Sequence, residues 1–290
     1  MKIAAAQIDI QLHEPALNRD RMLQVLREVA SRGARLCIFP ECALTGYCYE
    51  AADEFRDVAE TIPGPSTEAF TKVCRELDCY AIFGMLEEAA GEIYNAAVIV
   101  GPEGVVGSYR KLHLPYLGVD RFVSFGNRDF ELFEIDGVRI GLQICYDIGF
   151  PEATRSLALM GADLVVLPTN WPPGAESMAE HSINTRAMEN NIYVAGVNRV
   201  GTERGFRFIG HSSICSPSGA TMTVAGPSDE EILFADIDPE VARNKRIVRV
   251  ARKHMIDRIA DRRPELYGRV TAPHELTTPR QEWSARTDEK

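Results

Sequence analysis

The strongest constraint on the fold is a pattern that occurs twice. Lys2-Ile-Ala-Ala-Ala-Gln-Ile near the start resembles Arg139-Ile-Gly-Leu-Gln-Ile further on. After an amphipathic stretch, Gly33-Ala-Arg-Leu-Cys-Ile-Phe-Pro40 resembles Gly161-Ala-Asp-Leu-Val-Val-Leu-Pro168. Each half reads strand, helix, Gly-Ala, strand, Pro. Two such units predict two sheets related by pseudo-symmetry, although short apolar strands can also match by chance. Two degenerate copies are too few for a solenoid.

Short apolar runs predict strands at residues 2–8, 36–39, 80–85, 96–100, 105–109, 139–144, 164–167, 193–198, 212–215 and 232–236. Helices are expected at 17–31, 67–77, 152–160, 176–189 and 239–250, the first with Leu23, Leu26, Val29 and Ala30 on one face. Gly101-Pro-Glu-Gly104 reads as a hairpin turn rather than a phosphate loop. Alternation of strand and helix over 290 residues predicts an α/β chain, with residues 1–268 as the domain and 269–290 as a polar arm or disordered tail.

The net charge of −10, from 32 basic and 42 acidic groups, disfavours a phosphate-backbone partner. The basic clusters at Arg243, Lys245, Arg246, Arg262 and Arg263 lie among Asp257, Asp261 and Glu265 and read as solvated helix faces. No run approaches the roughly 18 apolar residues that span a bilayer. No secretory signal is visible, since residues 1–10 read as a first strand. Seven cysteines without a C-x-x-C pair suggest neither a disulfide framework nor a metal site. These features predict a cytoplasmic protein with no metal, no nucleic-acid partner and no membrane contact.

Cys145 is the first chemical candidate. It ends the strand Arg139–Ile144, and Gly149 and Pro151 follow before a helix. A strand that stops, turns and feeds a helix presents its last side chain in a strained elbow, where backbone N–H groups can stabilise an oxyanion. The nearby helix start is expected to lower the thiol pKa. A buried structural cysteine is the alternative. Glu41 follows Phe39-Pro40 at another strand end, the position from which open α/β sheets present functional groups. There it can take a thiol proton and return it to a leaving nitrogen; a loop glutamate on the surface is the alternative. Lys111 ends residues 105–111 and has apolar flanks, so its ammonium can stabilise a tetrahedral intermediate. An exposed strand-end lysine is its plain reading.

Taken together, Phe39-Pro-Glu41, Tyr109-Arg-Lys111-x-His113 and Ile144-Cys-Tyr-Asp147, extended by Phe150-Pro-Glu152, resemble the nitrilase superfamily of carbon–nitrogen hydrolases. The resemblance spans about residues 1–250. It includes Leu44-Thr-Gly46, Tyr94-Asn-Ala, Pro168-Thr-Asn-Trp171, Arg186-Ala-x-Glu189-Asn, Asn198-Arg, Gly210-x-Ser212 and Pro217-x-Gly219. It implies an α-β-β-α sandwich and a Glu–Lys–Cys triad, with Glu41, Lys111 and Cys145 in those positions. It also implies a thioester intermediate, no metal or organic cofactor, and a homodimer or higher homo-oligomer. Many members carry a second glutamate after the lysine; this chain offers Asp120, one methylene shorter, so inactive relatives stay open.

The Cys145-Tyr146-Asp147 motif looks more like the amidase branches, omega-amidases included, than like the Cys-Trp-Glu of strict nitrilases. Gly149 stands where omega-amidases often have Arg, which weakens that particular assignment. The expected substrate is a small aliphatic or omega-amide, with N-carbamoyl compounds and nitriles as alternatives. Candidate substrate contacts are Tyr47, Tyr116, Asp120, Tyr146, Asn170 and Trp171, although each aromatic also suits plain packing.

Three rivals follow from other readings. Gly210-His-Ser212 lacks the second glycine of a serine nucleophile elbow, and Ser108-x-x-Lys111 lies in a strand. A Cys–His enzyme would use His181 or His211 as base. A catalytically silent binding protein on the same fold is the third, and Cys42 is the alternative reactive thiol.

Overall fold

The computed structural model describes residues 1–287. Two six-stranded sheets form the centre. The first has the order Glu231–Asp236, β1 (Lys2–Gln7), β2 (Leu36–Ile38), β3 (Tyr80–Ala89), β4 (Glu92–Gly101) and β5 (Gly104–Arg110). The second runs Thr221–Val224, Ser213–Cys215, β9 (Tyr193–Val197), β8 (Leu164–Pro168), β7 (Val138–Leu142) and β6 (Leu132–Ile135). In each sheet a parallel trio, β1–β2–β3 or β7–β8–β9, is flanked by antiparallel strands. The two sheets therefore repeat one topology, as the echoed sequence predicts.

The echo has a physical origin at the helix ends. Helix α1 (Pro15–Ser31) and helix α3 (Pro151–Met160) both stop at a glycine with positive φ, +83° at Gly33 and +102° at Gly161. Only glycine takes that left-handed turn without steric cost. The next residue then bonds back five positions, Ala34 N–H to Val29 O and Ala162 N–H to Leu157 O, each at 3.1 Å. One residue on, Arg35 N–H reaches Lys2 O and Asp163 N–H reaches Arg139 O, both at 2.8 Å. Each helix is thus returned to the strand that precedes it.

Period-two alternation separates the faces of the first sheet. Ile3, Ala5, Leu36, Ile38, Ile82, Ala97 and Ile99 belong to the inter-sheet core with Ile140, Leu142, Leu164 and Val166. Ala4, Ala6, Cys37, Phe39, Ala81 and Phe83 turn outward and pack under Met22, Leu26 and Val29 of α1 and Phe70, Val73 and Cys74 of α2 (Pro65–Leu77). The layers are α-β-β-α, with α3 and α4 (Ile183–Asn190) on the second sheet.

One element differs from expectation. The helix predicted at 239–250 stops at Arg243, and Ile247–Val250 forms a hairpin with His254–Ile256. The β-branched Ile247, Val248 and Val250 favour that strand. The helix predicted at 176–189 is present, with a wider turn at Met178–Ser182 before α4. Within 269–290, Pro279–Thr287 is helical, Arg280 donates to the carbonyls of Asp120 (3.2 Å) and Val123 (2.8 Å), and residues 288–290 lie outside the described residues. Among the described residues no helix is long and apolar enough to cross a membrane, and no group of three or more His, Cys, Asp or Glu could hold a metal.

Candidate active site

Glu41 lies three residues past β2, on a segment that crosses β3 closely. Leu44 N–H bonds to Gly84 O and Gly84 N–H to Pro40 O. A Cβ at Gly84 would sit 2.3 Å from Cys42 N and 2.6 Å from Glu41 Cα, so only glycine lets the carboxylate reach the interior here. Lys111 enters from the end of β5, its N–H bonded to Asn95 O at 2.9 Å. Arg110 turns the other way, onto Glu87.

Four side chains then close a ring. Lys111 Nζ donates to Glu41 Oε1 at 2.7 Å and to Asp120 Oδ2 at 2.5 Å. Asn95 Nδ2 donates to the same Glu41 Oε1 at 2.7 Å and to Asp120 Oδ1 at 2.9 Å. All four residues are buried. Tyr47 Oη adds a bond to Asp120 Oδ2 at 2.8 Å. The Tyr47 loop is pinned by Glu203, which accepts from the N–H groups of Tyr47 and Cys48 and pairs with the buried Arg199. Asp120 sits on the short turn Gly118–Arg121, which brings its shorter side chain within reach of the lysine.

Cys145 faces this ring from the other sheet. Its φ of +48° is the strained elbow expected after β7. Leu142 pairs with Val166 in the parallel β7–β8 register, and Gln143 N–H continues it to Val166 O. Three residues further, Cys145 stands beside Thr169 and Asn170. Asn170 Nδ2 crosses between the sheets to Glu41 O at 3.0 Å.

Asp147 ties the elbow to the lysine strand. Its Oδ2 accepts from Ile144 N–H (2.9 Å) and Tyr109 Oη (2.8 Å), and its Oδ1 from His113 N–H (3.1 Å) and meets His113 Nδ1 (2.7 Å). Asp147→Asn turns one acceptor oxygen into a donor facing these donors. The cost of buried unpaired groups is about 1–3 kcal/mol each, so melting should fall by roughly 5–10 °C. An unchanged melting point in thermal denaturation would remove Asp147 from this structural role.

The electrostatics are those of a buried site. Burial pushes the Cys145 thiol up to about 12, and Glu41 adds to the shift against the opposing pull of Lys111, Thr169 and Asn170. This corrects the expected lowering: α3 starts only after an intervening 3-10 turn, Cys145–Gly149, and burial beside a carboxylate dominates. Glu41 is also raised, by burial first and by Asp120, with Lys111 opposing. Burial pulls Lys111 down, but Asp120 and Glu41 more than offset it and hold the ammonium well above its ordinary value.

The remaining candidates separate by location. Tyr47 is 1% exposed and holds Asp120, whereas Tyr116 and Tyr146 are 39% and 41% exposed. Tyr116 stacks with Trp283, and Tyr146 meets Phe150 edge-on. Trp171 is buried in the inter-sheet core. Cys42 is fully buried, its Sγ donating to Asn95 Oδ1 at 3.6 Å, and its thiol lies well above the ordinary value through burial first. The ring member Asn95 and the tie Asp147 were not among the sequence candidates. The only signal for Asn95 was its place within Tyr94-Asn-Ala, and for Asp147 its place two residues after Cys145.

The family model for carbon–nitrogen hydrolases matches residues 2–247. A nitrilase of Pyrococcus abyssi is 37% identical over 93% of this chain and 100% of its own length. A human omega-amidase is 33% identical over 79% of this chain and 87% of its own. Among solved structures, an amidase from Nesterenkonia sp. AN1 superposes with a TM-score of 0.77 at 24% identity, covering 92% of this chain and 98% of that one, which supports the shared fold. On the family model and these relatives, this chain belongs to the carbon–nitrogen hydrolase family and is an enzyme acting on non-peptide carbon–nitrogen bonds.

Proposed function

We propose that the chain is an amidase in which Cys145 is the nucleophile, Glu41 the general base and acid, and Lys111 the oxyanion stabiliser. The carrying observation is the asymmetry of Glu41. Its Oε1 is held by Lys111 and Asn95, while its Oε2 is buried and has no partner. One oxygen orients the carboxylate and the other is left for the reaction. A thiol near 12 stays protonated at neutral pH and needs such a base beside it.

In the first step Sγ attacks the amide carbonyl carbon as its proton passes to Glu41 Oε2. The carbonyl electron pair moves to oxygen. An ammonium has three donors; two are engaged by Glu41 and Asp120, and the third is free for the oxyanion. Collapse reforms the carbonyl and breaks the C–N bond, with Glu41 returning its proton to the departing nitrogen. The thioester then loses its acyl group to water by the reverse roles, releasing the acid and restoring the thiol.

Two further observations support this reading. The human relative is named an omega-amidase. A glutamate-to-leucine mutant of the Nesterenkonia amidase shows covalent addition of the acetamide moiety of fluoroacetamide at its own active-site cysteine. We also propose a homo-oligomer in the cytoplasm, since Leu159, Met160 and Met188 leave apolar surface on α3 and α4.

Ammonia release from a panel of small amides, N-carbamoyl compounds and nitriles tests the reaction. Turnover of amides is the expected result. Turnover of nitriles alone would overturn the amidase assignment and favour the activity named for the Pyrococcus relative.

A further inference from the structure

Three side-chain oxygens at the site are buried without partners, Glu41 Oε2, Thr169 Oγ1 and Asn170 Oδ1; the Thr169 hydroxyl can donate, whereas the Glu41 and Asn170 oxygens only accept. All three residues are at most 1% exposed. Native interiors retain few such atoms, and those that persist ask for an explanation. The identity of the Asn170 oxygen is fixed by its own contacts: Nδ2 donates to Glu41 O at 3.0 Å, and the flipped amide would set two oxygens against each other. Asn170 also follows Thr169 at the end of β8, beside Cys145, whose thiolate its backbone N–H favours. It therefore touches the segment of the base with its side chain and lies against the nucleophile with its backbone.

We propose that Asn170 determines specificity for carboxamides over substrates whose leaving atom bears no hydrogen, its Oδ1 accepting one N–H of the substrate –C(=O)NH2 group. This rests on the reading of Cys145 and Glu41 given above. Once Sγ has bonded to the carbonyl carbon, the substrate nitrogen carries two N–H groups and a lone pair. Holding one N–H on Asn170 turns the lone pair toward Glu41 Oε2, which by then bears the former thiol proton. The C–N bond breaks as that proton transfers, and ammonia leaves. A nitrile nitrogen and an ester oxygen bring no hydrogen, so they leave Asn170 Oδ1 unpaired. A site built to receive N–H groups discriminates against ligands that lack them.

The test compares kcat/KM for a primary amide and for the methyl ester of the same acyl group, in the wild type and in Asn170→Leu. This parameter reports formation of the thioester, and both substrates give the same one. Loss of the Nδ2 bond to Glu41 acts on both substrates but more on the amide, which depends on proton delivery, so it is read separately in Asn170→Asp, which removes the donor, keeps an acceptor oxygen and should hold the ratio closer to wild type. Loss of the Oδ1 acceptor acts on the amide alone. The amide-to-ester ratio should fall roughly 10- to 100-fold, equivalent to about 1.4–2.7 kcal/mol at 1.36 kcal/mol per tenfold. A ratio within twofold of wild type overturns the assignment and leaves Asn170 a structural residue. Should the leucine variant not fold, Asn170→Ala carries the same comparison. A wild-type protein inert toward both substrates overturns the amidase reading itself, an outcome distinct from an unchanged ratio.

Discussion

Cys145→Ala should lower amide turnover by on the order of 10⁴-fold or more, the scale seen when a nucleophile is removed, while the protein melts within a degree or two of wild type. The two halves of this expectation have separate causes. Turnover disappears because no other thiol can replace Sγ: Cys42, the nearest in sequence to the base, is fully buried and engaged with Asn95. Stability persists because Ala and Cys meet the same steric cost at a φ of +48°, and only one sulfur atom is lost. Ammonia release measured beside a thermal melt separates these effects. Retained turnover would remove the nucleophile assignment, and a melt lowered by 10 °C would make the loss uninterpretable as chemistry. Mass mapping after limited alkylation should place the label on Cys145 rather than Cys42 in the wild type and find none at position 145 in the variant.

The parts legible in sequence were those written as local patterns. Gly33-Ala and Gly161-Ala could be read as matching units because each performs the same task, a left-handed helix stop followed by return to the preceding strand. Glu41, Lys111 and Cys145 could be singled out because each sits at a strand end and the three motifs stand in order. Asn95 offered no such pattern: one asparagine in an apolar strand carries no mark that both carboxylates will meet its amide. Asp147 was hidden for a related reason: Ile144 is local, but Tyr109 and His113, which supply its other contacts, stand 38 and 34 residues away along the chain. The direction of the Cys145 shift was misread because a helix start is visible in sequence and burial beside a carboxylate is not. Tyr47 read as a candidate substrate contact, and its hydroxyl is inside, holding Asp120.

Glu41→Gln should be nearly as damaging to turnover as loss of the nucleophile, yet should make the thiol more acidic. The substituted side chain has one oxygen, and Lys111 and Asn95 both donate to the Oε1 position, so its NH₂ group takes the place of the unpaired Oε2. A neutral amide cannot take the thiol proton or return it to the leaving nitrogen, and turnover should fall by roughly 10³-fold or more. Glu41 is also the charge that adds to burial in raising Cys145 to about 12, so its removal lowers that value, and the thiolate fraction at a given pH rises. Stability follows a third sign. A carboxyl whose folded pKa is raised destabilises the folded state once pH exceeds its unfolded value, and Glu41 is raised. The neutral variant should therefore melt no lower than the wild type above that range, and toward acid pH the difference should shrink as Glu41 itself becomes protonated. Three measurements read these signs independently: ammonia release, the pH dependence of stoichiometric iodoacetamide labelling at Cys145, and thermal melts across pH. A variant that loses turnover while its labelling profile stays in place or moves to higher pH would contradict the electrostatic role given to Glu41. A variant that keeps turnover would remove it as the base, and the proton from Cys145 would then have to pass to the other buried carboxylate, Asp120, whose oxygens already accept from Lys111, Asn95 and Tyr47.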